Sequence, residues 1–475
     1  MPDTFEKKMG WKSSDIIQAC DAQLLCGDSE RTFTGISIDT RTIQDGNLYV
    51  AIEGERLDGH SFIKESIRKG AAGVIVNVSK SDLLDPAESK KSGISCFRVL
   101  DTIKALGDLA KFKRTRSRIS VLAITGSNGK TTTRKMATAV VSRRFSTLFP
   151  KKNFNNQIGV PLTLLDLRDH HQWVVLELGT NQHGEIKALT DICIPDLGMI
   201  TNIGPAHLEG LGSIDGVMKE KGALVKNLPS SARAILNADD PRVAALAEDT
   251  HAEVIFYGIS SHAHIRATDV EQTVEGIRFT LILPESRITI ELSVPGYFMV
   301  SNALAAAAVG YILNIDEKEI KQALEKDFEP APGRMCIHRL IDGVRIIDDT
   351  YNANPGSMEV ALRTFKAMRK NARGALVIGD MLELGNHSSE LHYQIGVLAV
   401  DLDVSKIYAA GNYAEDVAKG ARSQGLDSRN IIVGSFEHLL SDLDGWLQPN
   451  DWVLIKGSRG MKMEKIVNRL KLKRT

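Results

Sequence analysis

Residues Ile119–Arg143 read ISVLAITGSNGKTTTRKMATAVVSR. An apolar run, Ile119–Thr125, meets a glycine-containing loop, and a segment of helical period follows from Thr131 to Arg143. A strand, a glycine loop and a helix in that order predict a phosphate site. Glycines let the backbone wrap closely around phosphate oxygens, and the amides at the helix start point at the anion. Gly126, Ser127, Asn128 and Gly129 would form the cradle, Lys130 would reach the β- and γ-phosphates, and the Thr131 hydroxyl would ligate Mg²⁺. Against the general pattern G-x-x-x-x-G-K-S/T the first glycine is missing, because Ile124 stands there. A plain strand-to-helix turn is the alternative reading.

Outward from this loop, apolar strand candidates recur at Trp173–Leu178, Leu197–Ile203, Ala232–Asn237 and Val254–Tyr257, separated by helical spacers. That alternation predicts a parallel α/β sheet. Between Ile265 and Val294 the period switches to two (Ile277, Phe279, Leu281, Leu283; then Ile288, Ile290, Leu292, Val294), which predicts an antiparallel hairpin turning around Pro284–Ser286. An Ala-rich helix follows over about Val300–Leu313, and the Pro-rich segment Phe328–Arg334, FEPAPGR, marks a boundary. Beyond it short strands at Arg345–Ile347, Ala375–Ile378, Lys406–Ala409, Asn430–Val433 and Trp452–Ile455 predict a second, Rossmann-like α/β unit, without the glycine fingerprint of a dinucleotide site. Before the phosphate loop, short strand-like runs (Asn47–Ile52, Gly73–Val78) precede a basic stretch, KFKRTRSR at Lys111–Arg118. That stretch reads as a solvated linker or helix end, with a phosphate patch as the lesser alternative. The expected layout is three domains, 1–112, 113–330 and 331–475.

The whole-chain arithmetic agrees. At roughly 150 residues per domain, 475 residues suggest about three domains. Lys plus Arg and Asp plus Glu are 59 each, with 43% hydrophobic residues. This excludes a disordered chain and gives no support to a polybasic nucleic-acid binder. Five scattered cysteines (Cys20, Cys26, Cys96, Cys193, Cys336) lack metal-type spacing and read as free thiols of a reducing compartment. MPDTFEKKMGW has no apolar core of a signal peptide, and the most apolar stretch, near Ala303–Leu313, is too short to span a bilayer. A cytoplasmic protein without membrane insertion is expected.

A phosphate loop also needs an acid for its metal, usually at the end of a neighbouring apolar strand. WVVLELGTN offers Glu177, which taken alone reads equally as a strand-end surface carboxylate. His207, in TNIGPAHLEG, follows another apolar strand and so falls at the edge where α/β sites assemble. In IIDDTYNANPGS, Asp348, Asp349, Asn352 and Asn354 follow a strand; some could cap a helix beginning near Pro355, but together they exceed what one cap needs.

TGSNGKTTT (Thr125–Thr133), NFNNQIGVPLTLL (Asn153–Leu165), ELGTNQHGEI (Glu177–Ile186), TNIGPAHLEGLGS (Thr201–Ser213), NADDPRV (Asn237–Val243), DDTYNANPGSM (Asp348–Met358), GDMLELG (Gly379–Gly385) and KGSRGMKMEKIV (Lys456–Val467) occur in this order. The series resembles the Mur ligases, ATP-dependent amide-bond ligases of peptidoglycan precursor synthesis, over essentially the whole chain. NFNNQIGVPLTLL, DDTYNANP and GDMLELG resemble the branch that joins D-alanyl-D-alanine to UDP-N-acetylmuramoyl-tripeptide through an acyl phosphate. The DNPR motif of the diaminopimelate-adding sister is absent.

The resemblance implies an N-terminal α/β domain holding the UDP end of the precursor, a central P-loop ATPase domain with a parallel sheet and a small antiparallel sheet, and a C-terminal Rossmann-like domain that closes over ATP. A cytoplasmic monomer is expected. Gly126 to Thr132, including Ser127, Asn128, Gly129, Lys130 and Thr131, match the ATP loop, and Asn302, Arg334 and Asp349 match residues near the nucleotide. Glu177 and His207 match metal-binding positions beside Thr131, and Lys221 matches a lysine often carbamylated in this family. An anionic carbamate can ligate Mg²⁺ where an ammonium would repel it. An exposed helix lysine is the alternative for Lys221, and Lys219 competes for the match. Ser37–Phe62 matches the precursor-binding pattern, with Asp39 and Arg41 as substrate contacts, and Asn153, Asn155 and Asn156 are expected near the precursor or its pyrophosphate. One departure stands out: the family commonly has His and Asn where this chain has Phe298 and Met299. The rivals are a sister ligase adding one amino acid, a folylpolyglutamate synthase, or a non-catalytic nucleotide switch.

Overall fold

A computed structural model describes residues 10–84, 93–150, 153–272 and 276–473; most of the N-terminal stretch MPDTFEKKMGW lies outside them. The chain forms two compact units, one of Met1–Ala123, Phe145–Leu178 and Lys187–Asp196, the other of Ile124–Arg144, Gly179–Ile186 and Leu197–Thr475.

In the first unit a five-stranded sheet runs in the order Gln23–Cys26, Ser95–Val99, Gly73–Asn77, Leu48–Val50, Ile36–Ser37. Its inner neighbours are parallel and Gln23–Cys26 is an antiparallel edge. Leu48–Val50 and Gly73–Asn77 are apolar without alternation because both faces are covered, one by a core containing Ile16, Leu106 and Leu109, the other by one containing Ile63 and Leu84. The helix Thr102–Arg116 starts where the Asp101 carboxylate accepts the amides of Ile103 and Lys104 at 2.8 and 3.0 Å. It absorbs much of the basic stretch as a helix end. Lys113 Nζ donates to the Leu165 carbonyl at 2.6 Å, and Arg114 donates to Cys193 O, Ile194 O and Asp196, each at 3.0 Å. These two cations tie chain segments together, which argues against the phosphate-patch alternative.

The second unit contains strands in the order Arg287–Leu292, Ile277–Ile282, Ile265–Gln272, Glu253–Gly258, Arg233–Asn237, Leu197–Ile200. The last four are parallel and the first three antiparallel. The expected hairpin is present, but Ile265–Gln272 joins it as a third antiparallel strand. A bulge between Thr268 and Glu271 interrupts its alternation, and its second half is polar, so periodicity alone does not separate it. The Ala-rich helix Tyr297–Ile312 is buried nearly throughout and packs against the phosphate-loop helix Lys130–Ser142.

The same unit carries a six-stranded sheet in the order Cys336–Arg339, Arg345–Asp349, Trp452–Lys456, Gly374–Ile378, Lys406–Ala409, Ile431–Val433. All pairs are parallel except the first. Two separate cores cover its faces, the doubly wound arrangement that the strand and helix alternation predicts. Among the described residues no helix is long and apolar enough to cross a membrane.

Candidate active site

The strand Ser120–Thr125 delivers the chain into a turn that only glycine fits. Gly126 has φ 150°, and a Cβ there would lie 1.9 Å from Thr201 Oγ1; Gly129 has φ 79°, and a Cβ there would lie 2.6 Å from Asn302 Oδ1. Gly129 then caps the helix Lys130–Ser142, in which Thr131 and Thr132 are buried. Lys130 Nζ donates to the carbonyls of Gly126 at 2.7 Å and Ser127 at 3.3 Å, so the loop curls around its own lysine.

Residues far away in sequence brace this loop. Ser127 N donates to Asn202 O at 2.9 Å, Asn128 N donates to Asn202 Oδ1 at 2.8 Å, and Thr201 Oγ1 donates to Asn128 O at 2.6 Å. The Thr201–Gly204 turn is held in turn by the NADDPRV segment. Asn237 Nδ2 donates to Thr201 O at 2.8 Å, and Asp240 accepts Ile203 N at 2.8 Å while capping the helix Pro241–Ala245. These motif residues therefore act on the phosphate loop through one another. Asn302, from the Ala-rich helix, accepts from Thr133 Oγ1 at 3.1 Å, which seats it at the base of the loop. Of the departing pair, Met299 is buried beside Asn302, its sulfur 3.8 Å from Asn302 Nδ2, and Phe298 packs against the core of the six-stranded sheet.

Two further groups come from beyond the Pro-rich boundary. Arg334 donates to Thr131 Oγ1 at 3.1 Å while stacked over the Tyr351 ring at 4.1 Å. Asn354 Nδ2 donates to Asn128 Oδ1 at 2.8 Å, and its own Oδ1 caps the helix Pro355–Arg369 by accepting Ser357 N. Asp349 accepts Met335 N at 3.1 Å and pairs with buried Lys456 at 2.5 Å; Lys456 also donates to Asn352 O at 2.9 Å. Burial pushes the Asp348 carboxyl up, but hydrogen bonds from His338 and Thr350 outweigh it and leave it below the usual range. The polar cluster after this strand thus divides its work, with one cap, one buried ion pair and one bridge to the loop.

His207 caps a short helix, Leu208–Leu211, from a left-handed backbone with φ 56°. Its Nδ1 is hydrogen-bonded to Glu383, whose carboxyl this bond holds below its ordinary value. Lys221 lies in the helix Ile214–Lys226 and is fully buried, whereas Lys219 is exposed. Neighbouring Glu220 is bound into the fold, accepting Gly184 N at 2.6 Å and Ile186 N at 2.7 Å.

The remaining candidates belong to the first unit. Glu177 ends the strand Trp173–Glu177, is buried, and accepts Asn155 Nδ2 at 3.0 Å. Asn156 Oδ1 accepts Gly159 N at 2.9 Å where the helix Gly159–Leu165 begins, and Asn153 is exposed. Asp39 and Arg41 form an exposed bidentate pair, in which the guanidinium holds the Asp39 carboxyl down at about 2. Asn202, Tyr351, Glu383 and Lys456 are site residues that sequence reasoning did not single out, although each lies inside a quoted motif or one residue after a named strand.

The family description "Mur ligase family, catalytic domain" matches residues 32–114, "Mur ligase middle domain" residues 124–310, and "Mur ligase, glutamate ligase domain" residues 333–459. A protein of Haemophilus influenzae named UDP-N-acetylmuramoyl-tripeptide–D-alanyl-D-alanine ligase is 33% identical over 96% of this chain and 97% of its own. An Escherichia coli protein of the same name is 33% identical over 92% of this chain and 94% of its own. Among solved structures, MurF from Acinetobacter baumannii superposes with a TM-score of 0.89 at 29% identity, covering 98% of this chain and all (100%) of the other. MurF ligase from Thermotoga maritima in complex with ADP gives 0.79 at 26% identity, covering 92% and 97%. With three family domains matched in order and relatives aligned from end to end, the chain belongs to the Mur ligase family.

Proposed function

We propose that the chain joins D-alanyl-D-alanine to UDP-N-acetylmuramoyl-tripeptide at the expense of ATP, in the cytoplasmic synthesis of peptidoglycan precursors. The observation that carries this reading is the end-to-end identity with ligases named for that reaction, in a chain whose glycine loop is built for phosphate. A carboxylate is a poor acylating agent. Transfer of the ATP γ-phosphoryl group to the terminal carboxylate of the tripeptide gives an acyl phosphate and ADP. The amine of D-alanyl-D-alanine then attacks the acyl carbon, loses a proton, and expels inorganic phosphate to leave the amide. Two anions must meet in the first step, so positive charge at the transferring phosphoryl group is the main demand on the protein. Lys130 and Arg334, both against the loop, meet it.

In this reading residues 1–112 hold the UDP end, with Asp39 and Arg41 as contacts and Asn153, Asn155 and Asn156 near the precursor. Residues 113–330 bind ATP through Gly126–Thr132 and Asn302, and 331–475 bring Arg334 and Asp349 to the nucleotide. The protein acts as a monomer. The Thr131 hydroxyl, Glu177, His207 and a carbamate on Lys221 would hold Mg²⁺ in this reading. Among the described residues no three His, Cys, Asp or Glu side chains gather into a cage. Sparse, oxygen-rich donors suit a cation that keeps waters and takes its other ligands from substrate phosphates. Bound there, Mg²⁺ would neutralise charge on the transferring phosphoryl group. Lys221 is the lysine of this helix that the fold buries, and in this reading it is the one that carries the carbamate.

The test is ADP release with UDP-muramoyl-tripeptide and a panel of amines. D-alanyl-D-alanine should drive turnover and single amino acids should not. A preference for diaminopimelate, lysine or glutamate would assign the chain to a sister ligase, and no substrate-dependent ADP would make it a nucleotide switch.

A further inference from the structure

His207 and Glu383 both hold left-handed backbones, with φ of 56° and 63°. Neither is a glycine, and such conformations persist only where the surroundings over-determine them. The loop carrying Glu383 is fixed at nearly every residue. Gly379 N donates to Lys456 O at 2.9 Å, Met381 N to the buried His392 Nε2 at 2.9 Å, and Leu382 N to Ser458 Oγ at 2.9 Å. Glu383 O then accepts Glu209 N at 3.2 Å, which locks the loop onto the turn that carries His207. The Glu383 side chain meets His207 at Nδ1. A carboxylate can only accept, so Nδ1 carries a proton, and in the neutral imidazole that tautomer leaves the lone pair on Nε2.

We propose that Glu383 is a positioning residue, which fixes the tautomer and rotation of His207 so that Nε2 faces the divalent cation that accompanies the nucleotide. This rests on the reading of His207 as a metal-binding residue. Carboxylates behind metal-binding histidines act in this way, and losing one commonly weakens metal binding by about 10- to 100-fold. The GDMLELG motif thereby gains a chemical role without touching substrate.

The experiment is a titration of Mn²⁺ into the full chain with ADP, followed by the Mn²⁺ spin signal, alongside ¹⁵N NMR of the histidine side chains. E383A should weaken Mn²⁺ by about tenfold or more, and E383Q, which keeps an acceptor, by less. H207A should weaken it as well, and E383A added to H207A should change nothing further. The His207 signals should show the Nδ1–H tautomer in the parent and a mixture in E383A. Wild-type affinity in E383A beside a weakened H207A would overturn the proposal. So would an E383A effect that persists in the H207A background, or an unchanged tautomer. Wild-type affinity in H207A would instead sink the metal reading of His207, and the proposal with it.

Discussion

Arg334 donates to the Thr131 hydroxyl at 3.1 Å, across 203 residues of sequence. The guanidinium carbon lies over the Tyr351 ring, 4.1 Å from its centroid, while one terminal nitrogen reaches the start of the phosphate-loop helix. A lysine at this position has neither the plane to stack nor the fork to donate. Arg334→Lys should therefore lose nearly as much kcat/KM for ATP as Arg334→Ala, on the order of 10²-fold for a lost transition-state donor. ADP-release kinetics on both variants check this; near-normal Arg334→Lys would show that charge alone suffices.

Lys130 is the cation the loop itself supplies. Lys130→Ala should lower turnover by about 10²–10³-fold, the magnitude for removing one preorganised charge partner. Its thermal stability should move less than its activity, because its ammonium donates to part-buried carbonyls of its own loop, within four residues of it. Full ligase activity in this variant would contradict the assignment.

At Gly129 the objection to a side chain is twofold, a φ of 79° and an Asn302 oxygen 2.6 Å from where Cβ would sit. Gly129→Ala should abolish ADP binding by calorimetry and lower the melting temperature. Pairing it with Asn302→Ala should restore part of the stability, because the steric conflict is gone. If the double variant is no more stable than Gly129→Ala, backbone strain alone accounts for the loss.

If Lys221 carries the proposed carbamate, Lys221→Ala should lose most ligase activity and recover part of it when short carboxylates are added, since these can replace carbamate oxygens. The helix should survive, because alanine is a strong helix former. Undiminished activity without rescue would leave no role for a carbamate.

Burial depresses the pKa of His392, whose neutral imidazole accepts Met381 N and donates to Ser388 O. The unfolded chain takes up this proton more readily than the folded one. The contribution of His392 is thus complete above the ordinary value of 6.5 and fades as pH falls below it. Thermal melts should show stability dropping as pH is lowered from about 7 toward 5, and His392→Gln should flatten that part of the profile. The Asp39–Arg41 pair does not confound the window, because the Asp39 carboxyl titrates near 2 and the pair is exposed.

The phosphate loop was legible because its signal is local: strand, glycine turn and helix lie within twenty-odd consecutive residues. The hairpin Ile277–Ile282 with Arg287–Leu292 was legible for the same reason, through its period of two. Ile265–Gln272 was not set apart, since a bulge breaks its alternation. Long-range pairs leave no periodic trace. Lys456 and Asp349 are 107 residues apart, and His207 and Glu383 are 176 apart. Nothing near any one of them announces its partner. Spacing could not choose between Lys219 and Lys221 either, because the choice depends on which helix face the fold covers, and only the latter is buried.

Asn354 and Arg334 each place a hydrogen bond on the phosphate loop, at Asn128 and Thr131. Any ligand that favours the loop in this shape must favour those two contacts by the same factor, because coupling between two equilibria is reciprocal. Tighter nucleotide then means a more firmly seated C-terminal segment, and a substitution that loosens the segment weakens nucleotide without ever approaching it. The loop works as a gauge of assembly as well as a cradle, reporting in nucleotide affinity whether the rest of the enzyme is in place.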